Sequence, residues 1–248
     1  ELRSTPKCLL YAHGETAVAT KYEYVKTILR VMDEFEASSK SEMVCRFIVA
    51  VDRSQSITEA NENVDLAIAL QLENSRIVGV DLGGNPTRND FRDYEMCFTR
   101  ARNAGLKITI HCAEVPCIGD RHAEARAILD FRPDRLGHAL LLSDDLLRVV
   151  KELKIPVETC PTSNVMTLEL AHLAEGSLVQ GLRQHPSLEH WLRAEQPLSI
   201  CTDDPGVFGT TITQELLLLH ETFGLSMIEL TKLSIESVHY AFCSDDVK

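Results

Sequence analysis

The sequence predicts an α/β fold of repeated strand–helix units, an incomplete (β/α)8 TIM barrel with about seven βα units present. Three observations point there. Short apolar runs alternate with amphipathic stretches along all 248 residues, the pattern of a parallel sheet covered by helices. Polar residues suited to chemistry fall at the C-terminal ends of at least four of these runs, where barrel enzymes keep their sites. Neither a G-x-G-x-x-G nor a Walker-type loop follows any run, and Gly83-Gly84 is too sparse to be either, which disfavours an open dinucleotide-binding sheet.

The elements follow in order. Glu1–Thr5 reads as a strand, followed by Met43–Val51, Ile77–Leu82, Leu106–Ile110, Arg135–Leu140, Ile155–Thr159 and Pro197–Cys201. Most are rich in β-branched residues and end at Gly, Pro, Asp or Asn, as strands buried on both faces do. Between them, Lys21–Ser38 repeats Val25, Ile28, Leu29, Met32 and Phe35 at helical spacing. Val64, Ala67, Ile68 and Gln71-Leu72 continue this pattern in a second helix, and Leu146, Leu147, Val149, Val150 and Leu153 in a later one. A helix is expected over Gly206–Leu219, and Ser226-Met-Ile-Glu229 has the spacing of a capping box opening a last helix, Ser226–Phe242. No repeat or Pro/Gly-rich linker divides the chain, so residues 1–248 are expected to form a single barrel domain.

Composition excludes several functions. The net charge of −12, with 37 acidic residues against 25 basic, argues against nucleic acid and acidic membranes as partners. No run reaches the roughly eighteen apolar residues of a membrane span, and no N-terminal signal is evident. Of eight cysteines, 112, 160 and 201 lie within or at the ends of apolar strand runs. Buried reduced thiols are the expectation, and with them a cytoplasmic location.

Two strand ends carry the most chemistry. His111-Cys-Ala-Glu114 follows one run, and Thr202-Asp203-Asp204-Pro205 another. Each puts a possible metal ligand, His111 or Asp203, beside a second carboxylate, which is what metal-assisted hydrolysis needs: one group to hold a metal and one to move protons. A lone histidine is usually a satisfied core residue, but Glu114 three positions on favours the ligand reading. In a pocket beside a metal, Glu114 would be desolvated and able to donate a proton. Asp203-Asp204 could cap a helix; one aspartate suffices for that, so one carboxylate for metal and one for substrate is the better account. His138 follows Gly137, whose missing side chain leaves room near a ligand. Ser163 and Asn164 read as loop-shaping groups bonded to backbone. The other histidines (122, 172, 185, 190, 220 and 239) have no partner at ligand spacing. His13 is expected to be exposed in a loop, and Trp191 to be packing.

His-x-x-Glu, Leu-Gly-His, Cys160-Pro-Thr-Ser-Asn164 and Thr-Asp-Asp-Pro-Gly-Val-Phe, in this order, together with Asp81-Leu-Gly-Gly84-Asn-Pro, resemble the adenosine deaminase family of metallo-dependent hydrolases over essentially the whole chain. Glu1-Leu-Arg-Ser4-Thr5-Pro6-Lys7 and Arg46–Asp52 with Arg53 are more similar to the adenosine deaminase-like branch, which acts on N6-methyl-AMP. The resemblance implies Zn2+ as cofactor, with His111 and Asp203 as metal ligands and Glu114 and His138 as catalytic residues. Glu114 would protonate the purine ring and His138 orient the attacking water. Gly84 and Asp204 would hold the purine, and Ser4, Thr5, Pro6, Lys7 and Asp52 would line the ribose-phosphate end, where hydroxyls and a cation suit a phosphate.

The implied reaction converts N6-methyl-AMP to IMP and methylamine. The partner is then a small-molecule purine nucleotide and the protein a monomer. Adenosine deamination, or a catalytically inactive shortened form acting as a binding protein, are the alternatives. The family's His-x-His zinc ligands belong to a first barrel strand, and this sequence contains no H-x-H. The chain is therefore expected to lack that strand at its N-terminus.

Overall fold

The structure, a computed structural model, describes residues 1–10, 18–38, 43–171, 176–244 and 247–248; His13 and His172 lie outside them. Two compact units make up the chain, residues 1–109 with 242–248, and residues 110–241.

The first unit contains β1 (Leu2–Ser4), β2 (Leu9–Leu10), β3 (Val18–Ala19), α1 (Lys21–Ser38), β4 (Phe47–Asp52), α2 (Ile57–Glu73), β5 (Ile77–Gly83), α3 (Phe91–Asn103) and the start of β6 (Lys107–Cys112). β1 pairs with β4 and β4 with β5, both parallel. β2 and β3 form an antiparallel ribbon that hydrophobic patterning did not signal, since each contributes only two residues. Val25, Leu29 and Met32 turn inward from α1 at i, i+4 and i+7, whereas Phe35, expected on the same face, is 46% exposed. The face of α2 ends likewise at Leu70, leaving Leu72 84% exposed. A capping box between Ser56 and Glu59 fixes the start of α2, satisfying two backbone donors reciprocally.

The second unit continues with α4 (Asp120–Phe131), β7 (Arg135–His138), α5 (Asp144–Leu153), β8 (Val157–Thr159), α6 (Pro161–Thr167), α7 (Leu178–Leu182), α8 (Leu188–Arg193), β9 (Leu198–Ile200), α9 (Pro205–Phe208), α10 (Ile212–Phe223) and α11 (Met227–His239). β7, β8 and β9 pair in parallel. Among the described residues seven strands form one sheet, in the order β1-β4-β5-β6-β7-β8-β9, matching the seven expected from the sequence.

Two helix boundaries differ from expectation. The helix expected over Gly206–Leu219 is two helices, because Gly209 takes a left-handed conformation (φ 62°) and Thr211 then caps α10 through the Gln214 N–H. The last helix opens with its predicted Ser226–Glu229 capping box but ends at His239, with Tyr240 as its C-cap. No helix among the described residues is long and apolar enough to cross a membrane.

Candidate active site

The second unit gathers the expected chemistry at strand ends. β6 runs two residues further than predicted, so His111 sits on the strand itself, and Ala113 (φ 57°) then turns the chain toward Glu114. β7 is shorter than expected and stops at His138. His138 and Ala139 are both left-handed (φ 58° and 50°), which breaks a strand. The Ala139 N–H donates to the Cys112 carbonyl at 3.1 Å and the Leu141 N–H to Ala113 at 2.8 Å, fastening the two ends together. Asp203, just beyond β9, is left-handed too (φ 56°). Non-glycine residues in this region are uncommon and cost of order 1–3 kcal/mol each; three strand-end turns of this one cluster adopt it.

The room beside Gly137 serves His111 rather than a ligand. A Cβ at Gly137 would lie 3.1 Å from His111 Cγ and Nδ1 and 3.2 Å from its Cα. With hydrogen there instead, the His111 and His138 rings approach to 5.0 Å between centroids, inclined at 59°.

His138 is buried, with Nε2 3.8 Å from Glu114 Oε1 and 4.0 Å from Asp203 Oδ2. These gaps exceed a direct hydrogen bond. Among the described residues, Glu114 Oε2 is buried without a hydrogen-bond partner. His138, Cys160 and Asp203 offer three ligand-type atoms all within 4.8 Å of one another. The Cys160 thiol is held well above its ordinary value by the neighbouring Cys201 thiol and by burial.

α6 carries the residues that hold this cluster. Cys160 precedes it and Pro161 occupies its first turn, where a missing N–H costs nothing. The Thr162 N–H instead donates to Glu215 Oε2 at 2.9 Å, and Thr210 donates to Glu215 Oε1 at 2.6 Å. Ser163 and Asn164 are thus helical rather than loop residues, and their side chains bond side chains instead of backbone. Ser163 Oγ donates to Asp203 Oδ2 at 2.7 Å. The Asn164 carboxamide spans His138 Nδ1 at 3.2 Å and His185 Nε2 at 3.3 Å.

His185 had no sequence signal beyond its His-Pro turn ahead of α8, yet it is buried, and its Nδ1 accepts the N–H groups of Ser187 and Leu188. Burial, and then the nearby His138, push its pKa down to about 4. Asp204 makes no side-chain cap to α9 and stays exposed, so the capping account does not apply to its carboxylate. Trp191 is fully buried, as expected of a packing residue.

The first unit holds the remaining candidates. Asp52 Oδ1 accepts the N–H and hydroxyl of Ser54 at 2.7 and 2.6 Å. Gly84 (φ 87°) lies against it: a Cβ there would be 2.5 Å from Asp52 Oδ1. The register Asp52↔Gly83 between β4 and β5 explains this closeness. Pro6 is buried and Lys7 exposed, and the Ser4 hydroxyl is engaged with Tyr24 OH at 2.7 Å.

The second unit carries side chains of the types that hold metal ions, and the ligand atoms that converge among the described residues are those of His138, Cys160 and Asp203. His111 adds an imidazole whose ring lies 5.0 Å from that of His138, and the Asp203 carboxylate is held by the Ser163 hydroxyl.

The chain is similar in sequence and structure to several known proteins. The chain is 35% identical to human N6-Methyl-AMP deaminase, across its whole length and 66% of that relative. It is 33% identical to the adenosine deaminase-like protein of Drosophila melanogaster, over 99% of the chain and 66% of the relative. It therefore spans slightly less than two thirds of these relatives. The crystal structure of Arabidopsis N6-mAMP deaminase superposes with a TM-score of 0.82 at 31% identity, over all of this chain and 69% of that one. Arabidopsis ADAL complexed with IMP gives 0.82 at 30% identity, covering 100% and 68%. The seven βα units thus correspond to an incomplete TIM barrel. The model of the adenosine deaminase family matches residues 1–248, and the chain belongs to that family.

Proposed function

We propose that the protein is a zinc-dependent hydrolytic deaminase of purine nucleotides, acting on N6-methyl-AMP to give IMP and methylamine. The observation that carries this reading is the convergence of Glu114, His138 and Asp203, with the His111 ring against His138. The relatives' names and the Arabidopsis structures with IMP and GMP support the nucleotide as substrate.

His111 and Asp203 would hold the zinc, which when bound makes water nucleophilic near neutral pH. Ser163, donating to Asp203, fixes the direction of that carboxylate. Glu114 delivers a proton to N1 of the purine as C6 becomes tetrahedral. Its Oε2 has no competing hydrogen-bond partner among the described residues, so it is available for that transfer. His138, 3.8 Å from Glu114, positions the attacking water. Asp204 holds one edge of the ring and the Gly84 N–H the other. Ser4, Thr5, Pro6, Lys7 and Asp52 bind the ribose and phosphate, with Lys7 supplying the exposed cation.

The test is to measure the zinc-to-protein ratio of the purified chain by elemental mass spectrometry, with IMP release from N6-methyl-AMP followed chromatographically. A ratio near one with IMP formed is the expected result. A ratio near zero without turnover overturns the proposal for this chain, and faster turnover of adenosine replaces its substrate. The alternative is a deaminase-derived protein that binds nucleotides without turning them over. That reading requires IMP binding with no reaction.

A further inference from the structure

His185, Asn164 and His138 form a buried row joined by side-chain hydrogen bonds. It begins at the backbone. His185 Nδ1 accepts the Leu188 N–H at 3.0 Å and the Ser187 N–H at 3.3 Å, so that nitrogen has no hydrogen. A neutral imidazole has one N–H, which is then on Nε2, 3.3 Å from the Asn164 carboxamide. The opposite end of that carboxamide is 3.2 Å from His138 Nδ1.

The nitrogen end of the amide lies toward His185. That arrangement would make both His185 nitrogens acceptors, an imidazolate, which water at ordinary pH does not sustain. Amide oxygen and nitrogen are distinguished only by such hydrogen-bond accounting. The oxygen therefore faces His185 Nε2–H, and the NH2 group faces His138 Nδ1. His138 Nδ1 must accept, and its proton resides on Nε2, the nitrogen facing Glu114 and Asp203.

We infer that Asn164 and His185 are positioning residues that lock neutral His138 in the Nε2–H tautomer. His138 then meets the attacking oxygen as a hydrogen-bond donor. It is neither a metal ligand nor the base that takes the water's proton, because its lone pair is turned to Asn164. Glu114 is left as the proton carrier beside it. The tautomer rests on hydrogen-bond geometry alone, whereas its catalytic consequence rests on the deaminase reading.

Nitrogen NMR of the 15N-histidine-labelled full chain tests the tautomer without measuring turnover, so its outcome is separate from that of the activity assay. His138→Gln and His185→Gln spectra assign the signals by loss. The expected result is pyridine-type Nδ1 and pyrrole-type Nε2 for both residues, unchanged for His138 when zinc is added. Asn164→Asp, whose carboxylate only accepts, should move His138 Nδ1 from pyridine-type to pyrrole-type. A pyrrole-type Nδ1 on either histidine in the unmodified protein overturns the inference. Loss of the Nε2 proton of His138 on zinc addition overturns its role as donor. Should Asn164→Asp fail to fold, the unmodified chain alone still decides.

Discussion

Ser163 Oγ donates a 2.7 Å hydrogen bond to Asp203 Oδ2, joining the helix after β8 to the turn after β9. Asp203 is in the left-handed region, so its backbone is costly to hold, and the Ser163 hydroxyl fixes the direction of its carboxylate. Partners of this kind typically govern metal affinity by about 10–100-fold. Ser163→Ala should weaken zinc binding by that factor, measured by competition with a chromophoric chelator, while stability falls by only about 1 kcal/mol. Unchanged affinity would mean that Ser163 does not act on the metal through Asp203.

Gly137→Ala tests the packing between neighbouring strand ends. The added methyl would meet His111 at 3.1–3.2 Å, on ring and backbone atoms together. His111 is on a strand and cannot yield as a surface side chain would. Overpacking of this kind costs about 1–3 kcal/mol, and the displaced imidazole should lose zinc as well. Thermal denaturation and metal content of the variant check both effects. An alanine variant with full zinc content would mean that His111 does not bind the metal.

Much of this organisation was legible in the sequence, because buried parallel strands announce themselves as short apolar runs and their ends as polar clusters. The seven strands of the sheet followed from that, and the capping box at Ser226 from its Ser-x-x-Glu spacing. What was illegible depends on contacts remote in sequence. Ser163 and Asn164 looked like turn residues because these types favour turns. Their actual partners lie 40, 26 and 21 residues away. His185 looked idle for the same reason. Strand ends at His138 and helix breaks at Gly209 were misjudged because left-handed residues interrupt an element without altering its hydrophobic pattern.

Glu114→Gln separates proton transfer from metal binding. The amide keeps the size of the side chain but cannot deliver a proton to the purine. General acid catalysis is typically worth about 10²–10⁴-fold, so kcat for N6-methyl-AMP should fall by that range with the zinc-to-protein ratio unchanged. A comparable loss of zinc would instead make Glu114 a ligand, and undiminished turnover would require another acid.

His185 should make stability depend on pH over a defined interval. Its folded pKa, about 4, lies below the ordinary value because burial and His138 disfavour the charged ring. The unfolded chain takes up its proton near 6.5. A histidine depressed in this way stabilises the fold fully above 6.5, and that contribution declines as pH falls toward 4, where the unfolded state holds a proton that the folded state lacks. The difference corresponds to at most about 3 kcal/mol. Urea unfolding of the unmodified protein and of His185→Gln, compared from pH 7.5 to 4, isolates the effect from the other histidines. The stability of the unmodified protein relative to the variant should decrease across this interval. Parallel curves would mean that the His185 ring is solvated, which is incompatible with its acceptance of the Ser187 and Leu188 N–H groups in a buried site.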